Sequence, residues 1–494
     1  MEKRFFGCTY KKNSSLGRIG MCLSLLGPFF CLSPVAQTPI KIWTLKECIN
    51  QALEKNIALN QSRLGNEITR ITWDQSKYNT YPNLNLSDGH TIGFGRSLDP
   101  VSYTYTNQSY SSNIPALSSS VTLYNGLHNL NLMKENKLSY DAGSLDIEKQ
   151  QNDLALTVLG AYMQVLLDIE AVNIAKEQMA LTVVQVDRTE KYVAAGKFPE
   201  LNLFQIQSQL ATDKSAEVDA ENTLQIARVT LMQLLELPLS DDFDIEKPNL
   251  EITLSEAAAQ SSVDVYSMAL TLQPQIKSAA LRTQAADRDL KVAQSALFPV
   301  LGLTGTLRSS YSSLRSRVSD RLIYQQENIG YVQGNPSQPV IGLVPQNQVT
   351  SSAYPVENQL MDNFGQILNF NLTIPLFNNY QAKSAIAKSK IGIENAKLNE
   401  ESVKVQLRKT IEQVYTDQNG SAKKLVAVGE QEKSEERTYG DMEKKFNAGM
   451  ASTTDFLVEK NNYNKALLSK VSAKYDYIYK TKVVDFYLGK AITF

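Results

Sequence analysis

Residues 446–466 read FNAGMASTTDFLVEKNNYNKA, and residues 192–210 read YVAAGKFPELNLFQIQSQL. Both stretches carry the same phrase: Ala-Gly, five residues, then Asn or Asp, then a large apolar residue. A glycine after a run of helix formers is a helix stop, because glycine alone enters the left-handed region without strain. Ser452 with Asp455 three residues later reads as a capping box, and Pro199 is preorganised for a first helical turn. Each stretch therefore predicts a tight hairpin between two helices.

The twin phrases belong to a duplication. Shifted by 253, residues 121–238 align with 374–491 without a gap, bringing Leu154 onto Leu407, Tyr162 onto Tyr415 and Gly196 onto Gly449. Shifted by 217, the earlier parts of the halves align, with Ala52 on Ala269, Tyr81 on Phe298 and Pro82 on Pro299. The registers differ by 36 residues, an insertion that must lie in the polar segment after Leu307 and before Phe364. Such repeats decide a fold before any motif does.

Each half opens with an amphipathic helix, about 46–79 and 263–297, that ends at an aromatic-Pro pair. Alternating text follows. In QILNFNLTIPLF, Leu368, Phe370, Leu372 and Ile374 alternate with Asn369, Asn371 and Thr373, so one face of the strand is apolar and the other polar. Four such runs occur, joined in pairs by Ser/Tyr/Asn-rich loops. Strands of this kind suit a membrane barrel, but four cannot close one, so several chains must share it.

The remaining text is helical. No proline occurs between Pro115 and Pro199 or after Pro375. From Ala382 to Phe446 a continuous helix would be a rod of roughly 100 Å, and apolar residues at spacings of three and four suggest coiled-coil packing. Interior glycines at 392, 420, 429 and 440 predict an interruption near Gly420, with a belt around the midpoint made from residues 239–262 and the C-terminus.

Composition closes off other classes. The 494 residues include two histidines, His90 and His128, neither with cysteine or carboxylate at ligand spacing, so no metal site is expected. No phosphate loop and no nucleophile-base set is present. An enzyme is not expected, nor a cofactor. Residues 1–36, basic and then apolar, read as a signal peptide cut near Ala36. Its removal leaves Cys48 alone and 45 basic against 50 acidic residues, about −5, which gives nucleic acid no footing.

A signal peptide, a duplicated half, strand pairs ending in LYNG and LFNN, and the Gly-x5-Asn/Asp phrase together resemble the TolC-type outer-membrane efflux channels, in a Bacteroidetes-like branch suggested by GRSLDP and SVTLYNG. The likeness runs from about Trp43 to Ile492. It implies an α+β membrane channel. An internally duplicated coiled-coil barrel of long helices would extend through the periplasm, and four strands per chain would contribute to a trimeric twelve-stranded β-barrel in the outer membrane. The domains would be the signal peptide 1–36, a first repeat 37–238, a linker 239–262 in an equatorial belt, and a second repeat 263–494 with a longer external loop.

The resemblance also implies partners: a homotrimer embedded in outer-membrane lipid, a periplasmic adaptor, and an inner-membrane transporter of an efflux or type I secretion system. It makes Asp455, with Asn202 at the equivalent first-half position, the pore gate. Ala195, Gly196, Lys197, Ala448, Gly449 and Met450 become the tips that meet the adaptor. Phe446 and Ala451 stand where the family carries an aromatic and an arginine of its closed-state lock, so that lock does not transfer. A periplasmic or surface coiled-coil scaffold or adhesin without a lumen is the alternative reading of the same helices.

Overall fold

The computed structural model describes residues 42–493, apart from 100, 102, 241 and 249–260. The expected signal peptide and most of the linker lie outside the described residues. Strand β1 (Ile42–Trp43) precedes α1 (Leu45–Lys55) and α2 (Ile57–Tyr78). Then come β2 (Asn85–Ser87), β3 (His90–Gly93), β4 (Ser97–Leu98), β5 (Tyr105–Thr106), β6 (Tyr110–Asn113), β7 (Ala116–Asn125), α3 (His128–Ala194) and α4 (Glu200–Leu234). After β8 (Asp244–Ile245) the order recurs with α5 (Ser262–Leu272), α6 (Pro274–Ser295), β9 (Val300–Arg308), β10 (Tyr311–Ser312), β11 (Ser316–Val332), β12 (Asn335–Ala353), α7 (Val356–Asp362), β13 (Gly365–Thr373), α8 (Gln381–Asn447) and α9 (Thr453–Tyr487).

The duplication holds at the level of element ends. Adding 217 carries α1 and α2 onto α5 and α6, and adding 253 carries α3 and α4 onto α8 and α9, residue for residue. The chemistry of the ends repeats too. Thr44 with Glu47 and Ser261 with Asp264 form capping boxes 217 residues apart.

The interruption falls elsewhere than the glycines predict. Helix α8 runs 67 residues straight through Gly392, Gly420, Gly429 and Gly440. Each glycine costs about 1 kcal/mol relative to alanine. Burial of Leu407, Ile411, Leu425 and Phe446 against its neighbours offsets that cost. The breaks occur instead in the shorter helices, at Asn56 and Gln273, again 217 apart. Asn56 caps α2 by accepting the Leu59 N–H at 2.9 Å, and Pro274 opens α6 where a missing N–H costs nothing.

The main sheet is antiparallel in the order β13-β9-β7-β2. Residues paired across strands share a face. One face collects Leu86, Leu117, Val121, Leu301, Leu303, Leu307, Leu368, Phe370 and Leu372; the other collects Asn85, Ser118, Ser120, Thr122, Thr304, Thr306, Asn369, Asn371 and Thr373. Both outer strands are open edges. Beneath the sheet, α2 packs on α3, α3 on α6 and α6 on α8. The helix layer thus repeats the strand order, and its outer helices are those that lead into β2 and out of β13.

A compact cluster sits at mid-length of the long helices. Strand β1 pairs in parallel with β8, and the Tyr162 hydroxyl donates to the Glu246 carbonyl at 2.6 Å. Around it Leu45, Cys48, Ala52, Val158, Leu159, Leu231 and Leu235 form a core that Ile492 also touches. Cys48 is a small buried apolar group there. Helix α5 makes the equivalent, smaller cluster with Leu407 and Ile411.

Beyond the sheet the insertion is ordered rather than a polar loop. It forms a long β11–β12 hairpin spanning 316–353. Three prolines in β12 do not prevent this, because an edge strand tolerates residues without an N–H. A buried network ties the segments between β2 and β7 and between β9 and β13 together: the Ser312 hydroxyl donates to Asp99 at 2.6 Å, and Gln359 accepts from the Ser312 N–H at 3.1 Å.

Candidate functional site

The two hairpins of the opening phrases are built alike. Helix α3 ends at Ala194 and Gly196 turns it with φ +71°; helix α8 ends at Asn447 and Gly449 turns it with φ +75°. The Lys197 N–H reaches back to the Tyr192 carbonyl at 2.8 Å, and the Met450 N–H reaches Lys445 at 2.8 Å. These are the long bonds of a Schellman ending, which satisfy carbonyls the helix leaves free. Ala195, Gly196, Lys197, Ala448, Gly449 and Met450 are all exposed, and a side chain added at Gly196 would meet nothing within 4 Å.

The starts of the return helices differ. The Ser452 hydroxyl accepts the Asp455 N–H at 3.1 Å and donates to the Asp455 carboxylate at 2.7 Å. The reciprocal arm of a capping box, from the carboxylate to the Ser452 backbone, is not made. Asp455 instead stays exposed in the first turn of α9, where the helix dipole favours a negative charge. Pro199 is the N-cap of α4, and the Asn202 N–H bonds to the Pro199 carbonyl at 3.1 Å. Asn202 is half-buried and carries no charge.

Sequence reasoning missed what joins the hairpins. Ile206, Phe446 and Phe456 are buried together, with Phe198, Tyr439 and Leu457 around them. Phe446 stacks on Phe456 with ring centroids 4.7 Å apart, and Phe198 lies 5.5 Å from Phe446. Burial, helped by the Glu443 charge, pushes the Tyr439 phenol up to about 12, so it stays neutral in this cluster. Polar ties flank the aromatics. Arg188 donates to Asn447 at 2.7 Å and Gln185 to Glu443 at 3.2 Å.

Higher up, Lys460 is 2% exposed, with its ammonium 2.6 Å from the Asp213 carboxylate and bonded to the Thr182 hydroxyl. Gln209 donates to the other Asp213 oxygen at 2.7 Å. Three helices, α3, α4 and α9, thus share one buried ion pair. A lysine in polar text gives no sequence signal of this. The equivalent position in the first half holds Gln207, so the repeat gives none either.

Among the described residues no three His, Cys, Asp or Glu side chains come together as a metal site. His128 bonds Ser295 at 2.9 Å and His90 bonds Asn113, which absorbs both histidines into structure.

Comparison with known proteins fits this geometry. The outer membrane efflux protein family model matches residues 48–236 and 265–490. The probable outer membrane lipoprotein SilC of Salmonella typhimurium is 25% identical over 268 residues, 54% of this chain and 56% of that protein, so the chain spans little more than half of that relative's length. Among solved structures, the outer membrane protein VceC of Vibrio cholerae superposes with a TM-score of 0.71 at 14% identity over 91% of this chain and 96% of its own. The Campylobacter jejuni CmeC outer membrane channel does so with a TM-score of 0.68 at 16% identity over 90% and 85%. Both share the long helices and the sheet.

Proposed function

The chain belongs to the outer membrane efflux protein family, and on that premise we propose that three copies close into one passive duct across the periplasm and the outer membrane. The observation that carries this reading is the matched pair of open layers. Sheet β13-β9-β7-β2 stands over helix layer α8-α6-α3-α2, and both are open at the same two sides. Exposed apolar residues line those sides: Leu64, Ile68 and Ile71 on α2, and Ile391 and Leu398 on α8. A head-to-tail ring covers both at once and removes the sheet edges.

In that ring the leucine-rich face of the sheet meets lipid, and the Asn/Ser/Thr face lines a polar lumen, with Arg308 at one end of it. Asp455 is the charged gate residue, repeated three times about the axis, and Asn202 is its neutral counterpart. The exposed glycine turns, Ala195 to Lys197 and Ala448 to Met450, are the surface for the hairpins of a periplasmic adaptor. Energy enters through an inner-membrane transporter, since the duct holds no catalytic set among its described residues. A lumen-less scaffold would use the helices but leave the two-faced sheet without a purpose.

The test is purification in mild detergent followed by mass determination and planar-bilayer recording. Trimers that form discrete pores are expected. A monomer that forms none would overturn the reading.

A further inference from the structure

The internal repeat makes two kinds of seam between neighbouring hairpins. Within a chain, the first hairpin (α3, α4) packs on the second through α9. In the proposed ring, the second hairpin must also pack on the first hairpin of the next copy, and the 253-residue repeat says which positions face each other there. The two seams have the same geometry but different residues.

At the seam within a chain, Thr182, Asp213 and Lys460 form the buried clasp. Transposed by 253 onto the seam between chains, their places are taken by Glu435, Ala466 and Gln207. No ion pair can form from that set. Nearer the tips, Arg188 lies 3.9 Å from Glu443 and bonds Asn447 within the chain. The transposed residues are Asp441, Glu190 and Ala194, which set acid against acid. Asp441 is bonded to Lys444 of its own helix at 3.0 Å, which tempers that repulsion without creating a bond across the seam.

From this asymmetry, and resting on the ring reading, we propose that the clasp of Lys460, Asp213 and Thr182 welds the two hairpins of each chain into one body, so that the periplasmic end widens by sliding at the three seams between chains. The physics favours that division. Separating a buried ammonium from its carboxylate leaves two uncompensated charges away from water, which is costly even where the intact pair adds little net stability. An exposed seam of acids and amides has no such barrier. Lys460, Asp213 and Thr182 are positioning residues: they touch no cargo and act through the hairpins they align.

The experiment cross-links each seam in turn with a short reducible bis-methanethiosulfonate, in a Cys48→Ala background, and reads channel openings in planar bilayers. The within-chain pair is Gln185→Cys with Glu443→Cys, whose native side chains are in contact. The between-chain pair is the same pair transposed, Glu190→Cys with Thr438→Cys. Cross-linking between chains is expected to abolish high-conductance openings, with recovery on reduction, while cross-linking within a chain leaves them unchanged. Loss of openings with the within-chain link overturns the proposal.

Failure of the transposed pair to give covalent multimers on a denaturing gel would instead sink the ring reading itself. A second variant, Lys460→Met with Asp213→Leu, fills the site without charge. In it the between-chain link should no longer abolish openings, because the within-chain seam is then free to slide. A between-chain link that still abolishes openings in this variant counts against a clasp role.

Discussion

Leu127 and Tyr380 share a left-handed backbone, with φ 65° and 67°, each directly before the first residue of a 67-residue helix. Neither residue is glycine, and neither side chain caps its helix. The sharp strand-to-helix corner is what fixes them, because it must bring the end of the sheet onto the start of the helix layer in both halves. The preceding Gly126 and Asn379 are left-handed as well, at φ 63° and 51°. Two successive residues held there turn the chain far more tightly than one, and the repeat conserves the turn while changing every side chain in it.

The tip glycines obey the same conformational rule without the packing. Replacing Gly449 by valine puts a β-branched residue at φ +75°, a strain of roughly 1–2 kcal/mol. There is open space around the site, with only Phe198 at 3.9 Å, so the cost stays local. We expect trimers to persist on native gels while efflux in a strain supplied with its adaptor falls. Loss of the trimer would show that the turn serves assembly rather than docking.

Much of this was legible because the duplication repeats the boundaries. Capping residues, glycine turns and strand alternation are local signals, and each occurs twice. Three features were not legible. Interior glycines in α8 predicted a break, but the cost of a glycine is fixed by the helix while its compensation comes from neighbouring helices that a single segment does not display. The β11–β12 hairpin was hidden by Pro336, Pro339 and Pro345, which argue against a central strand and are compatible with an edge. The Lys460 clasp joins residues 247 and 278 positions apart along the chain, and no local pattern announces such a pair.

At the proposed gate, charge and capping separate cleanly. Asp455→Ala removes the carboxylate but leaves the Ser452 hydroxyl accepting the backbone N–H of residue 455, so thermal stability should change little. Conductance and its block by divalent cations should change strongly, since three carboxylates disappear from the axis. Ser452→Ala should do the reverse, costing about 1 kcal/mol of helix capping with conductance intact. Equal effects of both variants on conductance would assign Asp455 to the cap.

Asp168 offers a pH test. It is buried on α3 with one oxygen accepting from Gln164 at 2.9 Å, while the other finds no partner. Burial raises its pKa, against a smaller lowering by the Gln164 bond. The folded state therefore holds this proton more tightly than the unfolded chain, so stability falls as pH rises from the usual aspartate range through the raised value. Asp168→Asn, which needs no ionisation, should raise the unfolding temperature at neutral pH and flatten its slope between pH 4 and neutrality. An unchanged slope would mean that water or a neighbouring copy satisfies the second oxygen.

The two faces of β13 allow the membrane reading to be tested by one residue step. Phe370 and Asn371 are adjacent, pair with Leu303 and Gly302, and point to opposite sides of the sheet. Arginine at 370 would place a charge in the lipid face, at a cost of about 2–4 kcal/mol near the bilayer midplane. Repeated three times around the ring, that cost should deplete assembled trimers from the outer membrane fraction. Arginine at 371 faces the lumen, where water solvates it, so trimers should assemble normally and anion permeability should rise in reversal-potential measurements. The outcomes exchange if the faces are inverted. If both variants assemble and conduct alike, neither face meets lipid, and the strands belong to a soluble sheet.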